Sequence, residues 1–241
     1  MLSRNLESVR ERIQQACRRS GRDPTSVTIV GVTKAIPVDV IRQAIDLGVT
    51  EIGENRVQEA RAKREALSAV SRPVRWHLVG RLQSNKAKHA VELFDIIHSV
   101  DSVRLVETLD RQAAERARPI EVLIQVNASG EMTKGGCRPE EIEALAVAIQ
   151  KTRHLTLTGL MTMAPFSEDP KTARPIFRKL RELRDRLQGT LTNSITQSLN
   201  HPITHLQLSM GMSQDFEVAI EEGADIVRIG TAIFGERTTR D

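Results

Sequence analysis

Lys34 is the first residue whose position asks for a chemical reason. It ends the stretch "VTIVGVTK", residues 27–34, in which Val27, Ile29, Val30 and Val32 form an apolar, β-branched run. Such a run reads as a buried strand. A lysine leaving it either snorkels its ammonium to solvent or sits desolvated, with a lowered pKa and an amine free to attack an aldehyde. A second group of candidates stands near the other end of the chain. "LSMG" supplies Ser209 and Gly211, and "RIGTAIFG" supplies Gly230 and Thr231. Hydroxyls beside glycines, whose backbone N–H groups can approach closely, suit an anion. A turn opening into a short helix adds to that preference. Arg228 lies within the otherwise apolar "DIVRIG", and strand alternation puts it on one face with Ile226 and Gly230. It is either half of a structural ion pair or a cation held against an acceptor on a ligand.

These residues need a scaffold. Eight segments read as strands: Val27–Thr33, residues 49–54, 74–80 and 94–100, the run from Ile120, the run from Leu155, and two that end at Ser209 and Gly230. Helical patterns lie between them. One opens at Pro37 and stops at Gly48, a matched start and stop signal. Another follows Asp101 as its N-cap, and a third puts Phe177, Leu180, Leu183 and Leu187 on one stripe. Before the first strand, Leu6, Val9, Ile13 and Cys17 mark an amphipathic helix ending at Gly21. Strand and helix alternate over a length close to the roughly 250 residues of a (β/α)8 TIM barrel. An open doubly wound sheet is the competing architecture, but no Gly-rich dinucleotide fingerprint follows the first strand. No linker divides residues 1–241, so a single domain is expected. The polar stretch 189–202 reads as a surface loop before the seventh strand, and the basic run Arg178, Lys179, Arg181, Arg184 as a solvated helix face.

In such a barrel the site forms at the C-terminal strand ends, with phosphate often held after strands seven and eight. The ends supply Lys34, then Glu54 and Asn55, Gly80 and Arg81, His98 and Ser99, Asn127, Met161 and Thr162, Ser209 to Gly211, and Gly230 with Thr231. An amine, a phosphate cradle and an arginine together suggest pyridoxal 5′-phosphate. Other chemistries are poorly served. His77, His98 and His205 lack metal-ligand spacing and read as barrel-wall residues. No paired carboxylates stand where glycoside hydrolysis would need them. "MTMAP" and "SMGMS" read as packing at the barrel mouth. Charges of both signs are interleaved to a net +4, and the aromatics are five Phe and one Trp with no Tyr, which disfavours nucleic-acid binding. No apolar run reaches membrane-spanning length, and the N-terminus carries Glu7 and Glu11 without a signal-peptide core. Two cysteines, Cys17 and Cys137, without metal spacing point to a reducing cytoplasm.

The pieces "VGVTKAIP", "IGENRVQE", "WHLVGRLQSNK", "LIQVNASGEMTKGG", "GLMTMAP", "LSMGMSQDFEVAI" and "VRIGTAIFGER" run in order over nearly the whole chain. With them the sequence resembles the pyridoxal phosphate homeostasis proteins, also called the proline-synthetase co-transcribed homologue family. The resemblance implies a barrel of the alanine racemase N-terminal type. It also implies Lys34 as the Schiff-base lysine and Asn55 beside the cofactor, with Ser209, Gly230 and Thr231 on the phosphate and Arg228 facing the pyridine nitrogen. The 189–202 stretch is longer than the family pattern. Racemases of this fold pair their lysine with a tyrosine from a second domain, and this sequence has no tyrosine. The expectation is therefore a monomeric, non-enzymatic carrier acting in intracellular vitamin B6 and amino- and keto-acid balance, with apo-enzymes as candidate acceptors of the cofactor. The alternatives are an amino-acid racemase or lyase using the same lysine with a cysteine or water as second base, and a barrel binding another phosphorylated ligand without covalent chemistry.

Overall fold

The computed structural model describes residues 1–70, 72–116, 119–131, 135–194 and 205–236. Eight parallel strands close in sequence order into a barrel: β1 Thr28–Val32, β2 Glu51–Glu54, β3 Arg75–Leu78, β4 Ile96–Val100, β5 Ile120–Gln125, β6 Leu155–Met161, β7 Gln207–Ser209 and β8 Ile226–Ile229. Closure comes where β8 returns to β1, with Arg228 opposite Val30. Nine helices are seen among the described residues: α1 Leu2–Ser20, α2 Val38–Asp46, α3 Val57–Ala66, α4 Ala87–Leu93, α5 Val103–Ala113, α6 Ile142–Gln150, α7 Arg174–Ser194, α8 Phe216–Glu221 and α9 Thr231–Phe234. None is long and apolar enough to cross a membrane.

Period-two alternation divides each strand between two environments. Outward residues such as Trp76, Leu78, Ile97, Val122, Ile124 and Leu208 are buried beneath the helices in one continuous core. The stripe Phe177, Leu180, Leu183 and Leu187 of α7 is buried there as expected, each side chain contributing roughly 1.5–3 kcal/mol. Inward residues form a much smaller apolar cluster of Val30, Val79, Ile96, Leu123, Met161 and Ile226. The rest of the interior is polar and buried, with His77, His98, Ser209 and Arg228 prominent. α1 ends at Gly21, whose φ of 67° lets the N–H groups of Gly21 and Arg22 reach back to Arg18 and Cys17. α1 packs on α8 and α9, tied by Arg12–Glu217 at 2.8 Å and Asn5 Nδ2 to the Ile233 carbonyl at 3.0 Å.

Three expectations change. Residues 189–194 are not loop but the last turns of α7, with Leu191 buried; the remainder of the polar stretch lies outside the described residues. The N-cap of α5 is Ser102, not Asp101. The basic face of α7 is more than solvated surface. Arg174, Arg178 and Arg181 converge on the buried carboxylate of Glu222 at 2.9–3.1 Å. Those arginines hold its pKa down against the raising effect of burial.

Candidate functional site

A cavity of about 520 Å³ opens at the C-terminal end of the barrel. Lys34, Asn55, Arg228, Gly230 and Thr231 all line it. Each is placed by a local device.

Lys34 sits in a four-residue turn from Thr33 to Ile36, closed by the Ile36 N–H donating to the Thr33 carbonyl at 2.9 Å. The third turn residue, Ala35, is the only non-glycine among the described residues with positive φ, at 58°, a conformation that costs an L-residue about 1–2 kcal/mol. The turn is held from below. Thr33 donates its N–H to the Gly53 carbonyl, and buried Lys63 of α3 donates to the Thr33 carbonyl at 2.5 Å and to Glu54 Oε1 at 2.6 Å. The Thr33 hydroxyl also donates to Glu54 Oε1. Burial pushes the Glu54 carboxyl up, opposed by those hydrogen bonds. Lys34 itself is half-buried on the cavity wall, not enclosed as a fully desolvated amine would be.

Asn55 follows β2 and is backed by Gly80 after β3. A Cβ on Gly80 would lie 2.3 Å from the Asn55 carbonyl oxygen and 2.8 Å from its Cα. Only glycine allows the two strand ends to close together there.

Arg228 is almost wholly buried. Its guanidinium donates to Ser209 Oγ at 2.7 Å and to the Thr162 carbonyl at 2.8 Å. Burial pulls its pKa down to about 10 against the raising pull of the Asp215 carboxylate, so it remains a cation at neutral pH. Asp215 is a buried acid on the same cavity. It accepts the Met212 N–H at 2.6 Å, and burial raises its pKa.

Near Gly230 and Thr231, two backbone N–H groups, those of Gly230 and Ala232, converge on one oxygen, Ser213 Oγ, each at 3.2 Å. This spot collects donors for an anionic or hydroxyl oxygen.

Ser209 is the candidate that the structure does not bring to the cavity. It is fully buried, and its hydroxyl is taken up by Arg228 and by His98 Nδ1 at 2.9 Å. The hydroxyl that faces the cavity after β7 belongs to Ser213, four residues on in the same "LSMGMS" piece. Gly80 lines the cavity, whereas Arg81, His98, Ser99 and Asn127 do not. Sequence reasoning did not single out Ser213, Asp215 or the exposed Phe166 on the loop after β6. For the first two, a signal was available in the second serine of "SMGMS" and the acid that opens "DFEVAI". Met163 and Met212 do line the mouth, as expected of the Met-rich pieces. No cluster of three metal-ligating side chains occurs among the described residues.

A model of the alanine racemase N-terminal domain matches residues 5–238. The chain is 46% identical over 232 residues to the pyridoxal phosphate homeostasis protein of Aquifex aeolicus, covering 96% of each. The chain belongs to the pyridoxal phosphate homeostasis protein family. A second member of this family, from Escherichia coli, is 38% identical over 239 residues, covering 98% of this chain and 97% of the relative. PipY of Synechococcus elongatus, solved with PLP bound, superposes at a TM-score of 0.81 with 35% identity, over 98% of this chain and all of that one. The alanine racemase of Clostridium difficile superposes at 0.73 with 15% identity, over all of this chain and 58% of that one, and so shares the fold.

Proposed function

We propose that this cavity binds pyridoxal 5′-phosphate, with Lys34 linked to it as a Schiff base, and that the chain is a carrier in vitamin B6 homeostasis rather than an enzyme. The observation that carries the reading is the meeting in one cavity of three groups from distant parts of the sequence: an amine on a strained turn, N–H donors converging after β8, and a buried arginine cation. The donor set fits the group. Gly230, Thr231 and Ser213 would hold the phosphate, Asn55 would lie against the ring, and Arg228 would face the ring nitrogen. Ser209 then serves by holding Arg228 rather than by touching phosphate.

When bound, the cofactor would supply an electron sink. Arg228 limits that supply, because arginine keeps its own proton and gives none to the pyridine nitrogen. The names of the close relatives point the same way, toward homeostasis and not toward a reaction. The racemase alternative would draw a second base from a cysteine or water, and the cysteines do not support it. Neither thiol lines the cavity; both are buried. Burial raises both, Cys137 to about 12. We further propose a single-domain monomer in the cytoplasm, handing the cofactor to apo-enzymes.

The test is direct. Purified protein incubated with pyridoxal phosphate should show a visible imine band that Lys34→Ala abolishes. It should pass the cofactor to an apo-enzyme more slowly than free cofactor does. A band unchanged in Lys34→Ala rejects the covalent link, and rapid exchange of amino-acid α-hydrogens in deuterated water rejects the carrier reading.

A further inference from the structure

The barrel interior holds a continuous polar column that the cavity alone does not explain. Starting from the cavity, Arg228 donates to Ser209 Oγ at 2.7 Å. Ser209 Oγ meets His98 Nδ1 at 2.9 Å, His98 Nε2 meets His77 Nδ1 at 2.9 Å, and His77 Nε2 meets Glu51 Oε2 at 2.5 Å. Four of these five residues are buried, and Glu51, the first residue of β2, is partly exposed. The column therefore runs from the N-terminal strand ends to the opposite mouth of the barrel.

With one proton on each ring, the two ends fix its direction. A guanidinium can only donate and a carboxylate can only accept. Ser209 Oγ, already accepting from Arg228, directs its own O–H at His98 Nδ1. His98 must then carry its proton on Nε2 and give it to His77 Nδ1. His77 in turn carries its proton on Nε2 and gives it to Glu51. In this arrangement every hydrogen bond points the same way. Desolvation holds the His98 pKa well below its ordinary value, with further lowering from His77 and Arg228.

One added proton at the floor changes this pattern. A doubly protonated His77 would donate from Nδ1 to His98 Nε2, moving the His98 proton to Nδ1. Ser209 would then face two donors, and its O–H would lose its acceptor in a buried site. Arg75 lies 3.9 Å from Glu51 and 2.8 Å from Glu121 at the floor, and Asp215 acts on Arg228 at the top.

We propose that Glu51, His77, His98 and Ser209 form a one-way hydrogen-bond wire that positions Arg228 and carries protonation at the barrel floor to the cofactor cavity. The wire itself stands on the geometry alone; its effect on ligand affinity rests on the cofactor reading above.

Cofactor-free protein labelled with ¹⁵N-histidine tests the wire. At pH 7.5 the ring nitrogens of His77 and His98 should both report the neutral Nε2–H tautomer, with His77→Gln and His98→Gln assigning these two rings among the six of the chain. On acidification His77 should become imidazolium while His98 stays neutral and switches to Nδ1–H at the same midpoint. Glu51→Gln removes the carboxylate acceptor at the floor and should move that common midpoint. A His98 ring carrying Nδ1–H at pH 7.5, or two rings titrating independently, would overturn the wire. A second arm titrates pyridoxal phosphate into wild type and Glu51→Gln across the same pH range. Affinity in wild type should fall at the imidazole midpoint, and the step should move with the midpoint in the variant. A pH-independent affinity with intact tautomer behaviour overturns the transmission to the cavity. Absence of binding at every pH rejects the cofactor reading and leaves the wire standing on its spectra.

Discussion

Replacing Lys63 by methionine should destabilise the fold by about 3–4 kcal/mol at pH 7, and the loss should shrink with acid. Lys63 Nζ lies 2.6 Å from Glu54 Oε1, and the Glu54 side chain is fully buried with Oε2 lacking any hydrogen-bond partner among the described residues. Methionine keeps the length of the stem and removes the charge. Glu54 is left with the Thr33 hydroxyl as its remaining donor among the contacts described, and breaking a buried pair on one side costs about 3–5 kcal/mol. Protonation caps that cost. A carboxyl with an unfolded pKa of about 4.3 takes up a proton at pH 7 for about 3.7 kcal/mol, at about 1.36 kcal/mol per pH unit. In the variant the folded-state pKa lies above the unfolded one. The folded variant then holds a proton that folded wild type lacks, and the penalty falls by up to about 1.4 kcal/mol for each unit below neutrality until wild-type Glu54, its own pKa raised by burial, takes up a proton too. Urea unfolding of wild type and Lys63→Met at pH 7 and pH 5 measures the difference, which should narrow by at most about 2.7 kcal/mol between the two pH values. Adding Glu54→Gln should recover most of the loss at pH 7. A penalty below about 1 kcal/mol, or one that is the same at both pH values, would refute the reasoning that a buried charge is left unpaired.

Three other perturbations have defined outcomes. His98 is held neutral in the fold, while its unfolded pKa is about 6.5. The unfolded chain therefore binds the extra proton below that pH, and this residue should cost about 1.4 kcal/mol of stability between pH 7.5 and 5.5. Comparing the acid limb of wild type with His98→Gln by chemical denaturation checks it. Ala35→Gly, which would weaken an ordinary site through added unfolded-state entropy, should be neutral or stabilising by up to about 1 kcal/mol because glycine accepts φ of 58° without strain; thermal unfolding reads this. Gly80→Ala should cost about 3 kcal/mol or force the Asn55 segment to shift, since its methyl would meet Asn55 backbone at 2.3 Å. Calorimetry with cofactor titration would show both effects.

The alternating pattern was legible because each strand is short, apolar and bounded by turn residues, and all eight strands lie where the periodicity puts them to within a few residues. Lys34, Asn55, Arg228, Gly230 and Thr231 line the cavity because the C-terminal strand ends of such a barrel converge there, which the strand pattern alone foretells. Ser209, taken from a strand end by the same logic, does not line it. Being the last residue of β7 says which end of the barrel it occupies, but its inward direction puts it below the cavity floor, against Arg228. Ser213 lies beyond the strand on a turn, where no periodicity signals it. The histidines show a related limit. Their strand positions marked them as wall residues, yet their mutual contact joins β3 and β4, and Ser209 lies 111 residues further on. Only the closed barrel brings the three together. The extension of α7 through residues 189–194 has a weak sequence signal because a glycine and two threonines hide the helical stripe that ends in buried Leu191.

The division of the apolar residues between two sides of the strands has a further consequence. The large core lies between barrel and helices, while the six-residue cluster inside the barrel is a minor part of the whole. The staves are sealed from without. The lumen can therefore house an arginine, two imidazoles and a ligand cavity without being asked to hold the fold together. A ligand entering or leaving the cavity would then change the contents of the vessel and leave its walls in place.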